Sequence, residues 1–121
     1  MRKILMLTAL GEAATGVLVF ALPQAAVRLL FAADITEAGV LITRVAGISL
    51  IGLGVACWPA HDSPRAFYGM LTYTVLVMIY LLLVGNAGHA GVLLWPAVLV
   101  HAIIAVLLLM ARFRTGRTAA G

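Results

Sequence analysis

Four polar side chains that could do chemistry lie inside stretches of the sequence that are otherwise apolar. They are Glu12, Arg44, Tyr80 and His101. A carboxylate, a guanidinium, a phenol and an imidazole can together hold a proton or a polar ligand, and histidine titrates near neutral pH. What these groups can do depends on whether the surrounding stretches lie in water or in lipid.

The composition indicates lipid. Of the 121 residues, 64% are hydrophobic and 10% are charged, whereas soluble domains have about 25% charged residues. A soluble fold of this length has too little interior to bury so much apolar surface. The apolar residues form runs at 4–22, 40–58, 67–84 and 92–111, each close to the about 20 residues that span a bilayer as a helix. We therefore predict an all-α integral membrane protein, a four-helix bundle forming one domain over residues 1–121.

The basic residues indicate how the helices are oriented. They collect near the two termini and between the second and third runs, whereas the loop at 85–91 has no Lys or Arg. The residues concerned are Arg2, Lys3, Arg65, Arg112, Arg114 and Arg117. The positive-inside rule then predicts a multi-pass protein of a bacterial cytoplasmic membrane with both termini in the cytoplasm. The pI near 10 is explained by this topology and by anionic lipid headgroups, so no nucleic-acid partner is predicted.

The first loop contains a further helical pattern. Val27, Leu30 and Phe31 follow Pro23 at helical spacing, which predicts a short interfacial helix over residues 24–34. The alternative is that the first helix continues past the membrane.

The polar residues differ in depth. At about 1.5 Å per residue, Glu12 lies about 12 Å from the inner edge and His101 about 14 Å from the outer edge. Arg44 lies about 6 Å from the outer edge, and Tyr80 falls between Arg44 and His101 on the same count. A charge at the centre of a membrane helix costs roughly 2.5 to 3.5 kcal/mol, so such groups usually face the bundle interior and pair. We therefore predict that Glu12 neutralises Arg44; in the alternative, Arg44 extends to the outer headgroups.

Small residues share the faces that carry these polar groups. Such residues let membrane helices approach closely, which favours a common interior. They are Thr8, Thr15 and Gly16 with Glu12, then Gly39, Thr43 and Gly47 beside Arg44, and Ala97 and Ala105 on either side of His101.

Two interpretations of the predicted polar cluster stay open. In the first, the four residues form a structural network in which Tyr80 and His101 are hydrogen-bonding neighbours and the helix register is locked. In the second, they form a ligand or proton site at the centre of the bundle.

Other chemistry has little support in the sequence. Cys57 is the only cysteine, which leaves no internal disulfide or CxxC pair, and we expect it to pack near the inner interface. His61 and Asp62 are adjacent, but His89 is expected on the opposite side of the membrane, so no metal site is predicted. No catalytic residue is predicted, and enzymatic activity is the less favoured interpretation.

Two segments carry a family resemblance. "GEAATG" at 11–16 and "TRVAGISLIGLG" at 43–54 resemble the DoxX-like group of small four-helix bacterial membrane proteins. The resemblance implies the same helical fold and a role as a subunit of a quinone-linked oxidoreductase.

Three functions follow as hypotheses. The first is a non-catalytic accessory subunit that packs against a larger membrane complex, because the loops are short and no catalytic motif is present. The second is a protein that binds quinone, lipid or another small molecule through Glu12, Arg44, Tyr80 and His101, although no cofactor is evident from the sequence. The third is a proton or solute channel, formed as a homo-oligomer.

Overall fold

The computed structural model describes residues 2–58 and 64–119, the last five of these by their backbone alone. All regular structure in these ranges is helical. The helices are α1 (Arg2–Ala21), α2 (Pro23–Phe31), α3 (Glu37–Ala56), α4 (Pro64–Asn86) and α5 (Leu94–Ala119). Four of them, all except α2, are long and apolar enough to cross a membrane. The predicted all-α class with four long apolar helices is thus confirmed for the described part of the chain, although the helices begin and end a few residues away from the predicted runs.

A proline separates α2 from α1. Leu22 has a φ of −127° and a ψ of 58°, outside the helical region, and a residue that precedes a proline is disfavoured in that region. Pro23 then occupies the first turn of α2, where its missing N–H is not needed. The helix ends at Ala32, which adopts a left-handed conformation and donates its backbone N–H to the Arg28 carbonyl. The first helix therefore does not continue unbroken, and a separate short helix forms close to the predicted 24–34.

The α4–α5 loop docks on α2 at the end of the bundle opposite the chain termini, which we call the loop end. Gly91 N–H donates to the Leu30 carbonyl and Leu93 N–H to the Leu29 carbonyl, both at 2.8 Å. A side chain on Gly91 would collide with the Leu29 backbone. The two connections at the loop end are therefore joined through their backbones, which positions α5 relative to α2.

Glycines set the spacing between α1 and α3, which pack on each other more extensively than any other pair of helices. A Cβ on Gly47 would lie 2.7 Å from the Gly16 carbonyl oxygen, and one on Gly54 would lie 2.5 Å from that of Ala9. Such backbone contact is how small residues drive helix association in lipid. The predicted ridge on this helix is correct at Gly47, but Gly39 instead donates its N–H to the Thr36 cap.

The other main packing unit is the pair α4 and α5, and α1 makes fewer contacts with each of them. Near the termini the two pairs of helices share a buried apolar cluster. It contains Leu5, Ala9, Cys57, Phe67, Met70 and Leu108. The expected packing role of Cys57 agrees with this position. The groups that could do chemistry lie further along α1, α4 and α5, where the two pairs meet.

Candidate functional site

Glu12 and His101 lie together inside the bundle. Glu12 is on the buried side of α1, which it shares with Thr8 and Gly16. Its Oε1 is 3.9 Å from Nε2 of His101, and the two side chains are only 8% and 15% exposed. Both residues were predicted to be deep, and the structure brings them into contact between α1 and α5.

The contact made by the other ring nitrogen of His101, Nδ1, limits the protonation states of Nε2. Nδ1 lies 2.7 Å from the Ala97 carbonyl oxygen, one turn earlier on α5. Because a carbonyl oxygen only accepts hydrogen bonds, we assign the ring hydrogen to Nδ1. Nε2 then presents either a lone pair or a second hydrogen to Glu12. One proton shared by the pair makes it neutral overall, either as imidazolium with carboxylate or as imidazole with carboxylic acid.

Tyr73 of α4 completes the site. Its hydroxyl lies close enough to the Glu12 carboxylate for the two groups to interact. Its ring centroid lies 6.3 Å from that of His101, with a tilt of 56° between the rings. The site therefore draws one side chain from each of three helices: Glu12 from α1, Tyr73 from α4 and His101 from α5.

Tyr73 was not among the residues predicted from the sequence, although a signal was present. Tyr80 was chosen because its estimated depth falls between those of Arg44 and His101. Counted from the start of the predicted third run, Tyr73 lies about 9 Å from the inner edge, close to the about 12 Å of Glu12. Matching the tyrosine to the depth of the carboxylate would have selected Tyr73.

Tyr80 and Arg44 lie away from this site. Tyr80 is 60% exposed, and His101 has Tyr73 as its aromatic neighbour. The expectation that Tyr80 and His101 are hydrogen-bonding neighbours is therefore wrong, because the exposed side of α4 carries Tyr80.

Arg44 is also exposed, and its guanidinium carbon lies 5.9 Å from the centre of the Phe20 ring. Phe20 is eight residues beyond Glu12, or about 12 Å further along α1 toward the loop end. The predicted pairing of Arg44 with Glu12 is therefore wrong, and Glu12 has His101 as its partner instead. The alternative, in which Arg44 extends to the outer headgroups, is not tested by this contact and stays a prediction.

A second buried polar group on α4 was also not predicted from the sequence. Thr74 is fully buried beside Tyr73, and within the described ranges its Oγ1 has no hydrogen-bond partner. Thr8, by contrast, donates its hydroxyl to the Ile4 carbonyl within α1. The interior at the level of Glu12 is thus more polar than the depth of the charged residues alone indicated.

The arrangement is suited to proton chemistry. No group of three His, Cys, Asp or Glu residues that could hold a metal occurs among residues 2–58 and 64–114. His61 and Asp62, considered as ligands from the sequence, lie outside the described residues. A carboxylate, an imidazole and a phenol in contact can bind and pass on a proton, and an apolar surrounding strengthens the interactions among them.

No protein-family model, curated protein or solved structure matches this chain. The resemblance to the DoxX-like group therefore stays a prediction from the two segments that carry it.

Proposed function

We propose that this chain is a multi-pass protein of a bacterial cytoplasmic membrane and a non-catalytic accessory subunit that packs against a larger membrane complex. The four long apolar helices support insertion in a membrane. The basic residues near both termini and at Arg65 support a cytoplasmic location for the termini.

The exposed charge of Arg44 on α3 is the observation that supports the subunit proposal. Arg44 is the eighth residue of this membrane-length helix, about 10 Å from its first residue. In the part of the chain that the structure describes, its specific contact is the Phe20 ring, and neither ion pair involves it. Charged groups inside membranes usually pair. A carboxylate on a partner subunit would neutralise Arg44, and the apolar side chains around it on α3 would pack on the same partner.

A photo-crosslinking residue placed next to Arg44 tests this proposal. Ile48 is exposed one turn further along α3, and Leu83 is an equally apolar, exposed control on α4. In native membranes we expect the probe at Ile48, but not at Leu83, to form one protein adduct that can be identified by mass after purification in mild detergent. Arg44→Glu should abolish that adduct. Lipid adducts alone at both positions, or an adduct with a second copy of this chain, would contradict the proposal.

The proposed orientation has its own test. A reporter enzyme fused after Gly121 should be active in the cytoplasm, and one inserted near Ala87 should be active outside it. The reverse pattern would show that the distribution of arginines does not set the topology.

The resemblance to the DoxX-like group extends the proposal to the nature of the host complex. If the resemblance holds, the crosslinked partner should belong to a quinone-linked oxidoreductase. A partner without redox chemistry would remove this extension and leave the subunit proposal standing.

The Glu12, Tyr73 and His101 site favours a second candidate function, the binding of a proton or of a small polar ligand such as a quinone. His101→Phe tests it, because a ring still fills the position while the imidazole is lost. We expect this variant to assemble with the partner and to lose the activity of the host complex. Tyr80→Phe is the matched control and should leave that activity unchanged. Full activity in His101→Phe would leave the site with a structural role only.

A further inference from the structure

The loop end carries a second polar site, distant from Glu12. A pocket of about 360 Å³ opens between the end of α2 and the α4–α5 loop, lined by residues 28, 32–34 and 90–92. The two backbone hydrogen bonds from Gly91 and Leu93 to α2 hold its walls together. The pocket therefore lies where the two connections are joined through their backbones.

Two opposite charges line this pocket. Arg28 Nη2 lies 2.5 Å from Asp34 Oδ1, and the side chains are 71% and 85% exposed. A guanidinium has five N–H donors and a carboxylate has two acceptor oxygens, so each group can bind a ligand while still contacting the other. The pocket thus presents a cation and an anion side by side.

Apolar side chains continue from the same loop. Val92, which lines the pocket, is 81% exposed, and Leu93 and Trp95 are about half exposed. Tryptophan at the end of a membrane-length helix is typical of the headgroup region. An uncovered valine next to a charged pocket at this depth is suited to contact with a lipid acyl chain.

We propose that this pocket binds the headgroup of phosphatidylethanolamine, a lipid that carries a phosphate and a primary ammonium. The phosphate contacts Arg28, the ammonium donates to Asp34, and the acyl chains lie against Val92 and Trp95. The zwitterion then lies antiparallel to the Arg28 and Asp34 pair, so that each charge faces its opposite. This inference rests on the proposed membrane location.

The same charges favour phosphatidylethanolamine over two other common headgroups. Phosphatidylglycerol has the phosphate for Arg28 but no cation for Asp34. Phosphatidylcholine has a quaternary ammonium without N–H donors, so it cannot form a hydrogen bond with the carboxylate. Selectivity among the three headgroups is therefore the property to measure.

Native mass spectrometry of the full chain with equal amounts of dioleoyl phosphatidylethanolamine, phosphatidylcholine and phosphatidylglycerol tests the proposal. We expect wild type to retain phosphatidylethanolamine about tenfold more tightly than the other two, a difference of about 1.4 kcal/mol. Asp34→Asn should abolish that preference without weakening phosphatidylglycerol, and Arg28→Gln should weaken the binding of all three lipids, since each carries a phosphate. Arg65→Gln, which changes an exposed arginine on α4, should alter neither the preference nor the three affinities. No preference in wild type, or an unchanged preference in Asp34→Asn, would overturn the proposal.

A backbone variant separates the shape of the pocket from its charges. Gly91→Ala places a methyl group against the Leu29 backbone, which should push the loop off α2 and abolish the preference while both charges remain. Retained preference in this variant would show that the pocket is not the site. Soluble phosphoethanolamine should bind far more weakly than the lipid, and equal affinity would overturn the assignment to a lipid.

Failure of the inference can be told apart from failure of the membrane proposal. Extraction of the wild-type chain from membranes by alkaline carbonate would contradict the membrane location itself. A chain that resists extraction but shows no headgroup preference would contradict only the proposed lipid site.

Discussion

Two ion pairs in the described part of the chain each join a basic to an acidic side chain, one at the surface and one in the interior. Arg28 and Asp34 meet at 2.5 Å with both side chains mostly exposed, whereas His101 and Glu12 lie 3.9 Å apart with both mostly buried. Exposed pairs contribute little to stability because water and ions compete for the charges. In a buried pair, loss of one partner leaves the other charge uncompensated.

The distance between the charged atoms does not by itself decide which pair contributes more to stability. The shorter pair is free to exchange its partner for a ligand at little cost to the fold. The longer pair joins α1 to α5, and Tyr73 beside it adds a side chain from α4. We therefore expect the exposed pair to tolerate substitution and the buried pair to resist it.

The largest effect is expected at the buried pair. Glu12→Ala should lower the free energy of unfolding by about 3 kcal/mol, because Nε2 of the mostly buried His101 loses its polar partner. The measurement is reversible unfolding of the purified chain in mild detergent. Glu12→Leu combined with His101→Phe should recover much of the loss, since an apolar pair replaces a polar one of similar size. If the double variant loses as much as the two single variants together, the residues do not act as a pair.

A smaller effect is expected from the phenol that contacts Glu12. Tyr73→Phe removes the hydroxyl that interacts with Glu12 and keeps the ring, so the free energy of unfolding should fall by about 1 kcal/mol. Tyr80→Phe is the matched control on the same helix and should have no effect, because Tyr80 is exposed. Equal losses in the two variants would show that Tyr73 does not hold the carboxylate.

Arg44→Ala should have a smaller effect still on the isolated chain. Its interaction with the Phe20 ring is exposed, and such cation–π contacts contribute about 0.5 kcal/mol. The same change in native membranes should release the partner subunit. A loss of about 3 kcal/mol in the isolated chain would instead restore Glu12 as the partner of Arg44.

The smallest effect is expected at the exposed pair. Arg28→Gln should leave unfolding in detergent unchanged, both at low salt and at high salt, because the guanidinium is fully hydrated. Asp34→Asn should behave in the same way. A loss as large as that of Glu12→Ala would mean that the pair holds the loop end together, and the contrast between the two ion pairs would fail.

Much of the fold could be predicted because the length of an apolar run is read directly from the sequence, without knowledge of which helices pack together. The helix ends were less accurate, since they depend on local caps. Thr36 caps α3 four residues before the predicted start at Val40, and its side chain accepts the N–H of Gly39. Pro64 begins α4 three residues before the predicted Phe67.

The candidate site was predicted in part for a similar reason. Depth along a helix follows from counting residues, which placed Glu12 and His101 inside the bundle. The direction of a side chain around the helix axis depends on which neighbour packs there. Counting residues does not give that direction, so the predicted positions of Arg44 and Tyr80 in the cluster were wrong. The close contact of α1 with α3 at Gly16, Gly47 and Gly54 leaves Arg44 on the exposed flank of its helix.

The sequence by itself determined that the chain forms four long apolar helices and that a carboxylate and an imidazole lie within two of them, because hydropathy and residue spacing are properties of the chain alone. Only the tertiary structure decided that Glu12 meets His101 and Tyr73, and that the Gly91 loop joins α2 to make a second polar pocket beside Arg28 and Asp34. The physical reason is that partners on different helices are chosen by packing, and packing depends on how closely the backbones approach, here through glycines whose hydrogen side chains leave room for a neighbouring carbonyl.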